Sequence, residues 1–244
     1  MPRPAEPHAP VARAVDLNAD LGEEITDDIG LLAVVTSANV ACGFHAGTRA
    51  TMQEVCAEAV RRGVALGAQV SYADRENFGR AARDVAPRLL ADQVAEQVGT
   101  LSEIARAEGG VVAYLKPHGA LYHRVAVDEV QAGAVLAGSG SMPVLGMPGA
   151  VLLALAAGER RLIRHEGFPD RAYADDGRLV ARDLPGALVT DPAEVAALAV
   201  DLAVRVDSVC VHGDSPGAVA TAVAVRRALE AAGHRLASCW SSTG

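Results

Sequence analysis

Of the 22 basic residues in the sequence, 21 are arginine and one, Lys116, is lysine. Arginine is a permanently charged planar fork, whereas lysine is a compact charge whose proton can be shifted by burial. A lone Lys in an Arg-rich chain therefore points to a position that needs a point charge or a proton donor. Lys116 stands in LKPHGALYH (115–123), at the end of an apolar run. In an extended chain His118 projects to the same side as Lys116, Pro117 fixes the backbone between them, and Gly119 permits a turn into a following helix. His45, His118 and His212 each follow an apolar run and precede a glycine within two residues, which suits the rim of a site better than a core. His123 and His165 fit that pattern less well, and His8 and His234 fall in a tail and at a helix end. Asp16, Asn18 and Asp20 alternate along one face of the first strand-like run, and Asp20 is the candidate general base, a role worth about 10²- to 10⁴-fold in rate. In HGDSPGA (212–218), Ser215 suits an N-cap and Pro216 a first helical turn. Backbone N–H groups there would face a carboxylate or phosphate, with Lys116 or Arg171 completing the anion site, because the helix dipole alone contributes only about 0.3–1 kcal/mol.

These residues must be positioned by the elements around them. Apolar, β-rich runs cover 15–21, 37–44, 63–70, 110–115, 142–147, 161–168 and 208–212, and stretches with helical apolar spacing cover 51–62, 87–108, 193–206 and 216–232. Alternation of this kind, about seven βα units, predicts an α/β fold with a parallel sheet, doubly wound or closed into a barrel. No Gly-x-Gly-x-x-Gly follows the first strand, so a TIM-like (βα) barrel is favoured. A barrel places its chemistry where strands end, and the clusters Asn18/Asp20/Glu23, Gly43 to Gly47, Lys116 to Gly119, His165-Glu166 with Asp170-Arg171, and His212-Gly213-Asp214 all follow strand-like runs.

The chain has 244 residues, half of them hydrophobic, which is enough for one large domain. We expect a disordered tail over 1–13, a single barrel over 14–238 and a C-terminal tail over 239–244. The formal charge of −8 argues against nucleic acid or an anionic membrane surface as the main partner. No run approaches the length of a membrane span and the opening lacks a secretory apolar core, so a cytoplasmic location is expected. Cys42, Cys56, Cys210 and Cys239 are widely spaced and read as buried small hydrophobes rather than a zinc or disulfide framework.

The motifs VDLNADLGE, TSANVACGFHAG, FGR (78–80), LKPHGALY, FPDRAY (168–173) and VCVHGDSPGA together resemble the family of 5-oxoprolinase A subunits, also called the lactam-utilisation (LamB/YcsF) family, from about Val15 to Gly233. The resemblance implies a seven-stranded barrel related to glycoside hydrolase and deacetylase folds. It further implies ATP-dependent opening of 5-oxoproline to glutamate, with ATP as co-substrate and two partner subunits, B and C. Carried onto this chain, it marks Asp20, His45, Lys116, His118, His212 and Asp214 as catalytic, and Asn18, Asn39, Asp170, Arg171 and Gly213 as substrate-binding, with no metal ligand assigned. Asp20 or His45 would activate water, Lys116 and His118 would stabilise an oxyanion or phosphate, and His212 with Asp214 would assist proton transfer. The chain departs from the pattern at Gln69 and Thr48, where the family usually has His and Asp, and at Ala81 and His123. Two rivals follow: a metal-dependent amide or sugar deacetylase, whose usual His-x-x-x-His pair is absent here, and a degenerate non-catalytic subunit that binds ligand or scaffolds partners.

Overall fold

The first strand, β1 (Ala14–Leu21), is buried on both faces: Val15, Leu17, Ala19 and Leu21 turn outward to helices, while Asp16, Asn18 and Asp20 turn inward. Three polar residues facing inward are tolerable only if their groups are hydrogen-bonded, and they are. Asp16 accepts from the hydroxyls of Thr36, Ser37 and Ser208. Asn18 Nδ2 donates to Ser208 Oγ at 2.6 Å. Asn39 Nδ2 donates to Asn18 Oδ1 at 2.7 Å and to Asp20 Oδ1 at 2.9 Å, and Tyr114 Oη donates to Asn39 Oδ1 at 2.7 Å. A polar column thus fills a space that most barrels fill with branched aliphatics.

The computed structural model describes residues 14–240 other than 26, 176, 183, 215 and 216. Parallel strands β1, β2 (Ser37–Ala41), β3 (Ala65–Val70), β4 (Val112–Pro117), β5 (Val144–Gly146), β6 (Ile163–Gly167) and β7 (Ser208–Val211) pair in chain order, and β7 pairs with β1 to close a seven-stranded barrel. Around it run α1 (Asp28–Leu32), α2 (Arg49–Arg62), α3 (Pro87–Ala107), α4 (Gly119–Val125), α5 (Glu129–Gly138), α6 (Val151–Gly158), α7 (Pro192–Ala203) and α8 (Ala218–Ala231). Helix α3 starts on Pro87 and buries Leu90, Val94, Leu101 and Ile104 at helical spacing. The one polar member of that stripe, Gln97, accepts from Ser71 N at 2.9 Å and donates to Ser71 O at 3.0 Å, pinning the chain just past β3.

Two local expectations change. Helix α8 begins at Ala218 on a left-handed Gly217 (φ 78°) rather than on Ser215, because only glycine takes that conformation without strain; Ser215 and Pro216 themselves lie outside the described residues, as does the 1–13 tail. Residues 239 and 240 are not a free tail. Beyond β8 (Arg235–Leu236), a short strand paired to the start of β1, the Trp240 ring stacks on Tyr114 with centroids 4.2 Å apart and planes 9° apart. Burial of the indole against a ring inside the barrel holds the chain there. Among the described residues no helix is long and apolar enough to cross a membrane.

Candidate functional site

At the carboxyl ends of the strands lies a cavity of ≈ 410 Å³ lined by Asp20, Glu23, Arg80, Lys116, His118, Phe168, Arg171, Arg182, His212 and Asp214, among others. A wider cavity of ≈ 760 Å³ adjoins it behind Phe168 and Arg171, walled largely by Met147, Pro148, Leu198 and Leu202.

Lys116 forms the floor. Its Nζ donates to Asp20 Oδ1 and to Cys210 Sγ, each at 3.1 Å, and lies 3.0 Å from Glu166 Oε2 as an ion contact rather than an aligned hydrogen bond. Burial alone would push the ammonium pKa down, but Asp20, Cys210 and Glu166 together hold it well above its usual value. Lys116 is therefore a fixed charge, not a proton donor. The same contact corrects the role expected of Asp20. Burial raises its pKa, yet Lys116, His212 and His118 outweigh this and leave the carboxylate well below its usual range. A carboxylate so held is a poor base, and Asp20 serves to anchor Lys116. Glu166 and Cys210 were not singled out from sequence, although Glu166 stood in a strand-end cluster; burial, opposed by Lys116, keeps the Glu166 pKa raised.

His212 faces the cavity from the end of β7, and its partner is Asp170, not Asp214. Asp170 Oδ2 accepts from His212 Nδ1 at 2.8 Å and from His212 N at 3.1 Å. Burial disfavours the imidazolium, but the Asp170 carboxylate more than offsets it and raises the His212 pKa. Asp214 is instead bound by Arg80 and, at 3.0 Å, by Arg182. Arg171 donates to Val180 O at 2.7 Å, tying the loop after β6 to the rim. Two guanidiniums thus hold the Asp214 carboxylate, and with Arg171 three arginines line the mouth.

A second cluster forms part of the wall, with Glu23 and His118 lining the cavity and His45 behind them. His118 Nε2 is 3.1 Å from Phe78 O, a carbonyl that can only accept, so Nε2 carries the proton and Nδ1 presents its lone pair. Ser71 Oγ donates to Tyr72 O at 3.0 Å and so accepts from His45 Nδ1 at 2.9 Å, which leaves His45 Nε2 bare and without a hydrogen-bond partner. Both lone pairs face Glu23 Oε1 at 3.6 Å. Gln69 Nε2 bridges His118 Nδ1 at 2.9 Å and Glu23 Oε1 at 3.0 Å. Burial is the first cause of all three pKa shifts, lowering His45 and His118 to about 4 and, with the Asp20 charge, raising Glu23 to about 7. The FGR motif frames this cluster: Phe78 stands edge-on to both imidazoles, and Arg80 lies over the Phe78 ring, its carbon 4.8 Å from the centroid.

Several expected site residues lie elsewhere. Asn18 and Asn39 are wholly buried beneath the floor and bond within the polar column, so they position Asp20 rather than touch a ligand. His45 lies behind the wall, and Asp170 reaches the cavity only through His212. Gly213 separates two lining residues. Thr48 caps α2, its Oγ1 accepting from Thr51 N at 3.1 Å; aspartate would cap equally well, so this departure removes no catalytic group. Glu23, which stood in the first strand-end cluster, lines the cavity, and Arg182 joins it unforeseen.

The LamB/YcsF family model matches residues 15–243. Among curated proteins, the A subunit of 5-oxoprolinase from Streptomyces avermitilis is 53% identical over 92% of this chain and 99% of its own length. A solved lactam utilization protein from Thermus thermophilus superposes with a TM-score of 0.85 at 36% identity, over 92% of this chain and 99% of that one. The catalytic domain of a peptidoglycan N-acetylglucosamine deacetylase from Eubacterium rectale shares the fold alone, with a TM-score of 0.55 at 14% identity over 99% and 94% of the two chains.

Proposed function

The chain belongs to the LamB/YcsF family, and from that premise we propose that it is the A subunit of a 5-oxoprolinase, opening the lactam ring of 5-oxoproline to glutamate with ATP and two partner subunits. The observation that carries the reading is the fixed Lys116 charge facing the same small cavity as the His212–Asp170 pair. A five-membered lactam is a stable amide. Its opening needs charge stabilisation at the carbonyl oxygen, an activated water, and a proton for the departing nitrogen.

Lys116 answers the first need. Two of its three N–H groups are taken by aligned bonds to Asp20 and Cys210, and the ammonium also contacts Glu166 at 3.0 Å, so it acts on the carbonyl oxygen, or on a phosphoryl group there, as a fixed charge at the cavity floor. His212, protonated under the influence of Asp170, gives its proton to the ring nitrogen as the C–N bond breaks. The Glu23, His45 and His118 cluster activates the water, and Arg80, Arg171 and Arg182 neutralise the substrate carboxylate. ATP is handled with the partner subunits: the sequence has no Gly-rich phosphate loop ending in Lys-Ser/Thr, its only Lys being followed by Pro117.

The test is glutamate formed from 5-oxoproline, with and without ATP, by this chain co-purified with its native partner subunits. ATP-dependent glutamate is expected, falling by about 10²- to 10³-fold in Lys116→Arg, because a guanidinium cannot occupy the floor as a point charge. Circular dichroism of the variant checks that the fold survives. No glutamate from an intact, partner-bound complex would exclude the activity, and undiminished turnover in Lys116→Arg would remove Lys116 from it.

A further inference from the structure

Glu23, His45 and His118 each offer one ligand atom within 4.8 Å of the others, and Glu23 Oε1 lies 3.6 Å from both His45 Nε2 and His118 Nδ1. The tautomers are set from behind, by Phe78 O on His118 and by Ser71 Oγ on His45. Metal-bound histidines are oriented in this way, by a carbonyl or hydroxyl on the far nitrogen. His45 Nε2 and Gln69 Oε1 are buried and have no hydrogen-bond partner. Among the described residues only the Gln69 amide nitrogen is hydrogen-bonded into the centre of the three. Two imidazole lone pairs and a carboxylate gathered in a buried place are stabilised by a positive centre among them.

We propose that this centre is a site for a divalent transition-metal ion, held by Glu23, His45 and His118, with Gln69 Oε1 joining them when its carboxamide turns over. Two neutral imidazoles and one carboxylate are a donor set for zinc, manganese, iron or cobalt rather than for magnesium or calcium. The dimensions agree. The 3.6 Å separations of Glu23 Oε1 from each imidazole nitrogen are close to the about 3.3 Å between ligands of a tetrahedral ion with bonds of about 2.0–2.1 Å. The two rings stack 4.0 Å apart at 14°, so ligation tilts them toward one another about their anchored N–H groups. Glu23 and His118 line the catalytic cavity while His45 does not, so the open coordination position faces the cavity. Water bound there would have its pKa lowered toward about 7 and would give this cluster a nucleophilic hydroxide.

The full chain, stripped with chelator and dialysed, is titrated with Zn²⁺ by calorimetry and with Co²⁺ by visible absorption. Expected are one saturable equivalent and a cobalt spectrum of low coordination number. Ser71→Ala, which frees His45 Nδ1, should weaken binding by about 10- to 100-fold, and Glu23→Gln, isosteric and lacking the ligand charge, should weaken it further. His234→Ala, distant from the cluster, should leave it unchanged. No saturable binding by the wild-type chain, or equal binding by Glu23→Gln, overturns the proposal. Binding by the isolated chain is read without turnover, so this result and that of the glutamate assay are separable.

Discussion

Asp170 gives His212 both its direction and its charge, accepting from the ring Nδ1 and from the backbone N of the same residue. Replacing it by Asn keeps an acceptor but removes the charge, so burial, which disfavours the imidazolium, is no longer opposed. The sign follows. A histidine whose pKa is raised in the folded state is protonated to a higher pH than its ordinary 6.5, and an acid catalyst loses activity as pH rises through that pKa. In Asp170→Asn the alkaline limb of the kcat/KM profile should therefore move to lower pH, with a loss of about 10²-fold or more at pH 8 that is partly recovered at pH 6. The charge also contributes stability that is present below pH 6.5 and lost as pH rises through the folded-state pKa; thermal melts should show this loss in the wild type and not in the variant. An unchanged profile would make Asp170 a structural partner only. None of this pairing was readable from spacing, because His212 and Asp170 are 42 residues apart and Asp214 is the nearer carboxylate in sequence. Lys116 was readable, through the rarity of its type, though as a fixed charge and not the proton donor that burial alone suggests.

At the scale of elements, the strands stand out in sequence because both faces are constrained, with polar residues inward on most of them and small aliphatics outward, and β5 and β6 end on glycine. The helices α5 and α6 did not. EVQAGAVLAG and VLLALAAG are so uniformly small and apolar that no face can be told from the other, and periodicity carries no signal there. The loops that shape the site are also set by contacts invisible in sequence. Gly119, at the start of α4, has φ 59°, and a Cβ there would stand 2.3 Å from Gly79 O, the atom that accepts from Ala120 N at 2.8 Å. Gly79 in turn packs on His45 and His118, where its own Cβ would meet carbons at 2.9 and 3.2 Å. Gly119→Ala thus adds left-handed strain of about 1–2 kcal/mol to a backbone collision that can be relieved only by moving the 78–80 loop off the histidines. The expected result is a loss of about 2–4 kcal/mol in urea denaturation together with at least tenfold lower turnover, whereas Gly149→Ala, also at positive φ but with nothing within 4 Å, should show the strain without the loss of turnover. Equal effects of the two would mean that the loop does not rest on Gly119.

For the whole molecule, a barrel that opens one end to solvent for chemistry must seal the other, and here the seal is supplied from outside the strands. Tyr114 projects into the barrel beneath the site, its hydroxyl donating to Asn39, and Asn39 donates to the Asp20 that anchors Lys116. Trp240 lies flat on the Tyr114 ring, with its segment held by Arg164 Nε on Cys239 O at 3.3 Å and by Ser238 Oγ at 3.2 Å from Ser37 Oγ. The polar column is buried and residues past the last strand fold back under it, and such burial is what keeps its hydrogen bonds strong. Trp240→Ala should cost about 1–3 kcal/mol, less than a fully buried Trp because the indole is only half-buried. The measurement is the urea midpoint at constant slope, with faster hydrogen exchange at the β1 and β2 amides nearest the base. Turnover should fall far less than in Lys116→Arg, since the cavity residues at the opposite end keep their partners. If the midpoint and exchange are both unmoved, the stack is incidental and the column must be sealed by its own strands; if turnover collapses while the fold holds, the column transmits its order from base to Lys116, and the two ends of the barrel act as one unit.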